Sequence, residues 1–309
     1  MSHAQASSLS RWREAARATV GLAGLSPLAG TLPLLPVAAL LVATGWLPSP
    51  AQSIAVLAIV VLLGVPHGAL DGEIARPLLR PRFGWAWFPV FALPYLGLVA
   101  GVLIAWRFAP MATLAAFLVA SVWHFGSEDA GPDLLEAIAL GGVPIALPVL
   151  FQPDATAHVL GTVAMLPLLE PPTWLLLGVA CWCVAAASWM FRVLRHGRPA
   201  ALIEPGLLAV SFAALPPLTA FAIYFVCLHA PRHMAALAPD PRAPRVGSMR
   251  DAVVRSIPIT ALTLLIGAGL WRWFPGAPVD RLLTLTIEGL AALTLPHMLL
   301  DHLSRVTPP

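Results

Sequence analysis

Residues 221–234 read FAIYFVCLHAPRHM, an apolar run that ends on two histidines, His229 and His233. On a helix these side chains stand one turn apart on one face, a spacing at which two imidazoles can bind the same metal ion. Pro231 lies between them and disturbs that regular geometry. Because imidazole is rarely left facing lipid, the stretch predicts an apolar helix whose histidine face points into the protein.

Three other histidines lie in similar settings near the ends of apolar runs. They are His67 in GVPHGALDGE (64–73), His124 in SVWHFGSED (121–129) and His297 in LPHMLLDHL (295–303). Each histidine taken alone could cap a helix or contact lipid headgroups. Together the five predict one buried site with several imidazoles.

Acidic residues accompany these histidines. The pattern Pro-His-x-x-Leu-Asp occurs twice and places Asp71 and Asp301 one helical turn after His67 and His297. A carboxylate at that distance can accept the second ring N–H of a metal-bound imidazole and fix its tautomer. Glu128 and Asp129 follow His124 and could serve similarly. The alternative is that these acids are interfacial charges at the ends of membrane spans.

The composition indicates a membrane protein. Hydrophobic residues make up 59% of the 309 and charged residues 11%, which is too apolar for a chain that folds around one core in water. The net charge is +3, but the arginines lie in short loops between apolar runs and form no continuous basic face. We therefore exclude a nucleic-acid partner and predict an all-α, polytopic bundle in membrane lipid, in the cell inner membrane.

A helix that crosses the hydrocarbon needs about 20 apolar residues, which gives about ten (eight to ten) spans. The expected domains are a cytoplasmic N-terminal segment (1–30), a single transmembrane catalytic domain (31–302) and a C-terminal tail (303–309). The split at Pro216 leaves two short spans, so one broken helix or a re-entrant hairpin also fits there. The ten spans are 31–48, 52–69, 85–106, 109–126, 134–151, 173–191, 203–216, 217–234, 256–274 and 282–301.

The arginines predict the orientation of these spans. With the N-terminus inside, three arginine-rich loops (residues 76–82, 192–198 and 242–255) lie in the cytoplasm. The five histidines then fall near the cytoplasmic ends of the second, fourth, eighth and tenth spans. Their shared depth favours a common site over scattered core histidines.

The predicted site has a definable chemistry. Ligation by nitrogen alone suits zinc, copper or ferrous iron, and an iron site with an open position favours dioxygen chemistry. Apolar surroundings imply an apolar substrate that enters from the lipid. Trp123, Phe125 and Tyr224 are candidates to line its path, although aromatic residues at span ends are often interfacial anchors.

The four motifs GVPHGALDGE, SVWHFGSED, HAPRH and LPHMLLD, in this order over residues 64–301, resemble the bacteriorhodopsin-related protein-like (Brp/Blh) family of β-carotene dioxygenases. The resemblance implies a membrane enzyme in which histidine-bound Fe²⁺ and dioxygen split the central double bond of β-carotene or a related carotenoid into two retinals. It implies that His67, His124, His229 and His233 are the catalytic iron ligands. It also suggests a functional link to a retinal-binding opsin. Ala230 departs from the serine usual in the family, at a position that is not a proposed ligand.

The role of His297 is open at this level, and we expect it to support the ligands because a fifth imidazole would crowd dioxygen. Asp71, Asp129 and Asp301 are expected in the same supporting role. Two other functions compete with the dioxygenase. A carotenoid or retinal carrier, or a transporter with protonatable histidines, would need no metal. A membrane desaturase or hydroxylase would need about eight histidines in clustered boxes, and this chain has one paired motif.

Overall fold

The computed structural model describes residues 35–130 and 133–306, apart from the side chain of Asp129. The predicted segment 1–30, the start of the first predicted span and the end of the C-terminal tail therefore lie outside the described residues. Every regular element of the described chain is helical, which confirms the all-α prediction. The α-helices are, in order, α1 (Leu35–Ala43), α2 (Ser49–Ile59), α3 (Val65–Gly68), α4 (Asp71–Phe83), α5 (Trp87–Phe108), α6 (Pro110–Asp129), α7 (Leu134–Gly141), α8 (Val143–Phe151), α9 (Pro153–Ala164), α10 (Thr173–Arg195), α11 (Ile203–Ala214), α12 (Pro217–Tyr224), α13 (Ala230–Leu237), α14 (Met249–Leu270) and α15 (Pro278–Val306).

The predicted count of ten spans is not confirmed. Five helical stretches of the described chain are long and apolar enough to cross a membrane, and a sixth is added if α7 and α8 form one bent span. The 60-residue stretch Ser49–Phe108 covers two of the predicted spans. Other predicted spans are short or bent, since α7 and α8 meet at 46°. The helix α9 was not predicted.

The last helix, α15, forms the centre of the bundle. It contacts α2, α3, α4, α5, α6, α9 and α14. Its buried residues include His297, and also Glu288, whose side chain forms an ion pair of 3.2 Å with Arg107 of α5. Because α15 touches helices from both halves of the chain, it brings His297 next to the other histidines.

Two π-helical segments mark the places where histidines enter the core. The first, Val60–Gly64, leads into α3 and His67, and the second, Phe225–His229, leads into α13. A proline follows each segment within two residues, at Pro66 and Pro231. Proline lacks the backbone N–H and clashes with the carbonyl of the preceding turn, so a widened turn relieves the conflict. Such π-bulges occur often at functional sites because they re-aim side chains.

The two π segments touch each other at Gly64. A Cβ atom on Gly64 would lie 2.2 Å from Cε1 of Phe225, far closer than atoms can approach. The Phe225 ring in turn lies 5.3 Å from the His67 ring and is stacked on the His229 ring at 5.7 Å, measured between centres. Glycine at residue 64 therefore permits the contact with Phe225, whose ring packs against both His67 and His229.

A similar close approach fixes His124. A Cβ on Gly126 of α6 would lie 2.1 Å from the carbonyl oxygen of Ala137, and one on Gly141 of α7 would lie 2.1 Å from that of Val122. Small residues at a crossing let two helix backbones pack directly against each other in a membrane. The α6–α7 hairpin therefore holds His124 and Glu128 in a rigid position.

We predict that Gly64→Ala disrupts the site. The added methyl group must displace Phe225, an overpacking that costs about 1–3 kcal/mol of folding free energy and moves the rings of His67 and His229. Thermal unfolding of the detergent-purified protein should show a lower midpoint, together with weaker metal retention. The matched control is Gly101→Ala on α5, where a Cβ meets no atom within 4 Å. Equal stability and metal content in the two variants would contradict the prediction.

Candidate metal centre

Five histidine rings meet inside the bundle. They come from α3 (His67), α6 (His124), the end of the second π segment (His229), α13 (His233) and α15 (His297). Six ring pairs have centres 5.0 to 5.8 Å apart. Imidazoles bound to one metal at about 2.0–2.1 Å have ring centres roughly 4.5–6.5 Å apart. The structure thus brings together all five histidines that the sequence singled out.

Three of these histidines form the tightest group. His67, His124 and His229 are buried, and each offers a ring nitrogen such that the three atoms lie within 4.8 Å of one another. A second group consists of His124, Glu128 and His297, and its possible ligand atoms, two ring nitrogens and a carboxylate oxygen, also lie within 4.8 Å of one another. Because His124 belongs to both groups, the two form one continuous cluster of possible metal ligands.

Several ring nitrogens in this cluster are buried without a hydrogen-bond partner among the described residues. They are both ring nitrogens of His229, Nε2 of His233 and Nε2 of His297. A buried polar atom left unsatisfied costs about 1–3 kcal/mol, so several of them side by side need an explanation. A metal ion that accepts the lone pairs of these nitrogens would explain why they have no other partner, and the residues present fit such an ion.

Hydrogen bonds on the outer side of the rings orient two imidazoles. Nδ1 of His67 contacts the carbonyl oxygen of Gly64, and Nδ1 of His297 lies 2.6 Å from Oδ1 of Asp71. A carbonyl or carboxylate oxygen can only accept, so Nδ1–H is the donor in both contacts. The lone pair of each ring is therefore on Nε2. Such outer hydrogen bonds are the usual support of metal-binding histidines.

The partner of Asp71 differs from the expected one. The sequence spacing suggested His67, but Asp71 accepts from His297, 226 residues away, and also from the hydroxyl of Tyr95 at 2.9 Å. Tyr95 was not among the predicted site residues. No spacing rule within one helix reveals this chain of contacts, because it joins α4, α5 and α15.

Asp301, another predicted supporting acid, lies outside this arrangement. Asp301 accepts from Arg242 at 2.8 Å and from Arg305 at 2.8 Å, and among the described residues no imidazole contacts it. The aspartate of the second Pro-His-x-x-Leu-Asp pattern therefore forms ion pairs with arginines. The side chain of Asp129 lies outside the described residues.

Glu128 lies at the centre of the cluster, although it was not among the predicted site residues. Its carboxylate lies 3.1 Å from Nδ1 of His233 and 3.6–3.7 Å from ring nitrogens of His124, His229 and His297. Its Oε2 atom is buried without a hydrogen-bond partner in the described structure. The sequence feature that could have identified Glu128 as a site residue is its position four residues after His124, on the same face of α6.

A small apolar cavity adjoins the rings. Its volume is about 50 Å³, and its walls include His67, His124 and His297 together with Phe125 and Phe225. Of the three predicted substrate contacts, Phe125 and Tyr224 are buried with ring centres 4.8 and 6.0 Å from that of His229. Trp123 instead is 53% exposed on the outside of the bundle.

Comparison with known proteins identifies the family. The family model for beta-carotene 15,15'-dioxygenase matches residues 58–303. The chain is 30% identical over 266 residues to the beta-carotene 15,15'-dioxygenase of uncultured marine bacterium 66A03, covering 81% of this chain and 95% of that protein. It is 31% identical over 300 residues to the probable beta-carotene 15,15'-dioxygenase Blh of Halobacterium salinarum, covering 85% and 87%. No solved structure matches significantly. The chain therefore belongs to the beta-carotene 15,15'-dioxygenase family.

Proposed function

We propose that this protein is a membrane-embedded enzyme that cleaves the central double bond of β-carotene with dioxygen and releases two molecules of retinal. The observation that carries this proposal is a cluster of five imidazoles, four of them buried, in a chain of this family. Several of the ring nitrogens have no hydrogen-bond partner among the described residues. Two oxygen atoms enter and one C=C bond breaks, so each half of the carotene leaves as an aldehyde. A retinal-binding opsin is the partner we propose for that product.

The metal that we propose is Fe²⁺, with His67, His124, His229 and His233 as its ligands. Imidazole-rich sites bind ferrous iron, and bound ferrous iron supplies the activation of dioxygen. Nε2 of His233 is free to serve as a ligand because Nδ1 contacts Glu128. We assign His297 to a supporting position because a fifth imidazole would crowd dioxygen, and its Nδ1–H is held by Asp71.

The remaining residues position the reactants. A single water molecule needs about 10–15 Å³, so the cavity of about 50 Å³ leaves room for dioxygen beside the ligands. Phe125, Phe221 and Phe225 line it and exclude water, and their apolar faces suit a polyene. The hydrogen bonds of His67 and His297 keep their rings aimed at the common space.

The experiment that tests the proposed activity is expression in a carotene-producing bacterial host. The orange colour should fade, and chromatography of the extract should show retinal in place of β-carotene. A matched culture that expresses the His229→Ala variant should stay orange. Persistent colour with folded, iron-loaded protein in the membrane would refute the proposed activity.

We also propose ten spans in the inner membrane, with both termini in the cytoplasm. The described helices support this count only in part, but a helix occurs at every predicted span within the described residues, and a break occurs at Pro216. Reporter fusions after residues 20, 82, 198, 245 and 305 should all report the cytoplasmic side. A periplasmic signal at residue 245 would place His233 and His67 in opposite leaflets and contradict the topology.

Asp71→Asn and Asp301→Asn form a matched pair of predictions. Asp71→Asn keeps the shape but removes the charge that holds the Nδ1 proton of His297, so iron affinity or turnover should fall about 10–100-fold. Asp301→Asn removes an ion pair with Arg242 and should change stability and leave iron affinity unaltered. Iron affinity is measured by competition with a chelator. A larger iron loss in Asp301→Asn would overturn this assignment.

A further inference from the structure

A second cavity lies apart from the imidazole cluster, where α4 meets the segment between α13 and α14. Its volume is about 360 Å³. Its charged walls are Arg76, Arg80 and Glu73 of α4 and Arg245 of the connecting segment, and three prolines complete the lining. We call it the arginine cleft. Two of the arginine-rich loops that the sequence places in the cytoplasm thus face each other across one cavity.

The charge of the arginine cleft is unbalanced. Three arginines and one glutamate line it, which gives a net charge of +2. Glu73 already lies between two cations, 3.5 Å from Arg245 and 3.7 Å from Arg255, so it is not available to neutralise the others. Arg76 packs its guanidinium 5.9 Å from the centre of the Trp87 ring, and among the described residues Arg80 has no acidic partner.

The arrangement of the arginines is built by the fold. Arg76 and Arg80 are four residues apart on α4 and therefore share one face. Pro77 and Pro81 fix the backbone between and after them. Arg245 reaches the same space from the other side of the cleft, and its contact with Glu73 holds it there. Like charges repel, so such a convergence favours an anion that bridges them.

We propose that the arginine cleft binds the phosphate group of an anionic phospholipid. Guanidinium groups donate pairs of parallel hydrogen bonds that match phosphate oxygens. The cleft lies where α4 leaves the apolar stretch that carries His67, at the predicted cytoplasmic surface, where anionic headgroups are concentrated. The volume is many times the roughly 10–15 Å³ that one water needs, so a glycerophosphate headgroup fits. This site does not depend on the proposed activity.

The test is native mass spectrometry of the full-length protein released from mild detergent and titrated with phosphatidylglycerol. The wild type should retain one lipid adduct, and phosphatidylcholine should not replace it. The double variant Arg80→Gln/Arg245→Gln should bind roughly 30-fold more weakly, the change that corresponds to about 1 kcal/mol for each arginine. The control is Arg195→Gln/Arg198→Gln, which removes two exposed arginines far along the chain from the cleft and should bind as the wild type does.

Inorganic phosphate distinguishes the source of the ligand. If phosphate competes with the lipid adduct, the phosphate group is the part recognised and the lipid is its carrier. A different outcome is that the wild type binds phosphate but not phosphatidylglycerol, and that the Arg80→Gln/Arg245→Gln variant loses the phosphate binding. The lipid source is then wrong, and the cleft takes a soluble anion. Equal retention of phosphatidylglycerol by the variant and its control overturns the proposal. Unchanged unfolding midpoints without lipid verify that both variants are folded.

Discussion

His229→Ala should lose bound iron and activity together. His229 is about 1% exposed and its ring stacks against Phe225. Within the described part of the chain, neither ring nitrogen has a hydrogen-bond partner. A ligand supplies a lone pair to the metal, and removal of one imidazole leaves an incomplete site inside an apolar bundle. We expect iron to fall from stoichiometric to background levels by elemental analysis, with no retinal formed. The same result is expected for His67→Ala, His124→Ala and His233→Ala.

Two further substitutions give this prediction its controls. His297→Ala should retain part of the iron with poor activity, because we assign this ring to a supporting position. His196→Ala should change neither quantity, since His196 is exposed at the end of α10 and its ring forms a hydrogen bond with the carbonyl oxygen of Arg192, away from the cluster. Complete iron loss in His297→Ala, together with full retention in any of the four ligand variants, would reverse the roles.

Glu128→Gln should have the next largest effect. One carboxylate lies within 3.1–3.7 Å of nitrogens on four imidazoles, so its charge acts on most of the cluster at once. The amide keeps the shape but loses the charge, and it can present an N–H₂ group where Nδ1–H of His233 donates. We expect iron affinity to fall about 100-fold, at the upper end of the range for outer partners of metal ligands.

The measurement for Glu128 must separate charge from shape. Substitution of iron by Co²⁺ gives a visible absorption spectrum that reports the ligand geometry without any turnover. Glu128→Asp should preserve more of this spectrum than Glu128→Gln, because it keeps the negative charge. Glu170→Gln, an exposed glutamate between α9 and α10, is the matched control and should leave affinity and spectrum unchanged. A normal cobalt spectrum in Glu128→Gln would show that the carboxylate is a bystander.

The sequence reveals the helical class, the family and the convergence of five histidines, because each leaves a local signal. A helix that crosses a membrane needs an apolar run of characteristic length, and histidines at the ends of such runs stand out in the sequence. The hydrogen-bond partners are different. Whether Asp71 faces His67 or His297 depends on how α4 and α15 rotate against each other, and no local pattern encodes that rotation. The number of spans also depends on bends such as the 46° turn between α7 and α8.

The distance along the chain between Asp71 and His297 has a consequence for how the enzyme is made. The ribosome delivers α4 long before α15, so the segments that carry His67 and His124 have already emerged while α15 is still being synthesised. Only after α15 is made can its contacts with seven other helices close the cluster. For the iron site that we propose, metal loading therefore follows the synthesis of α15, and we expect a chain stopped before residue 297 to load the metal poorly.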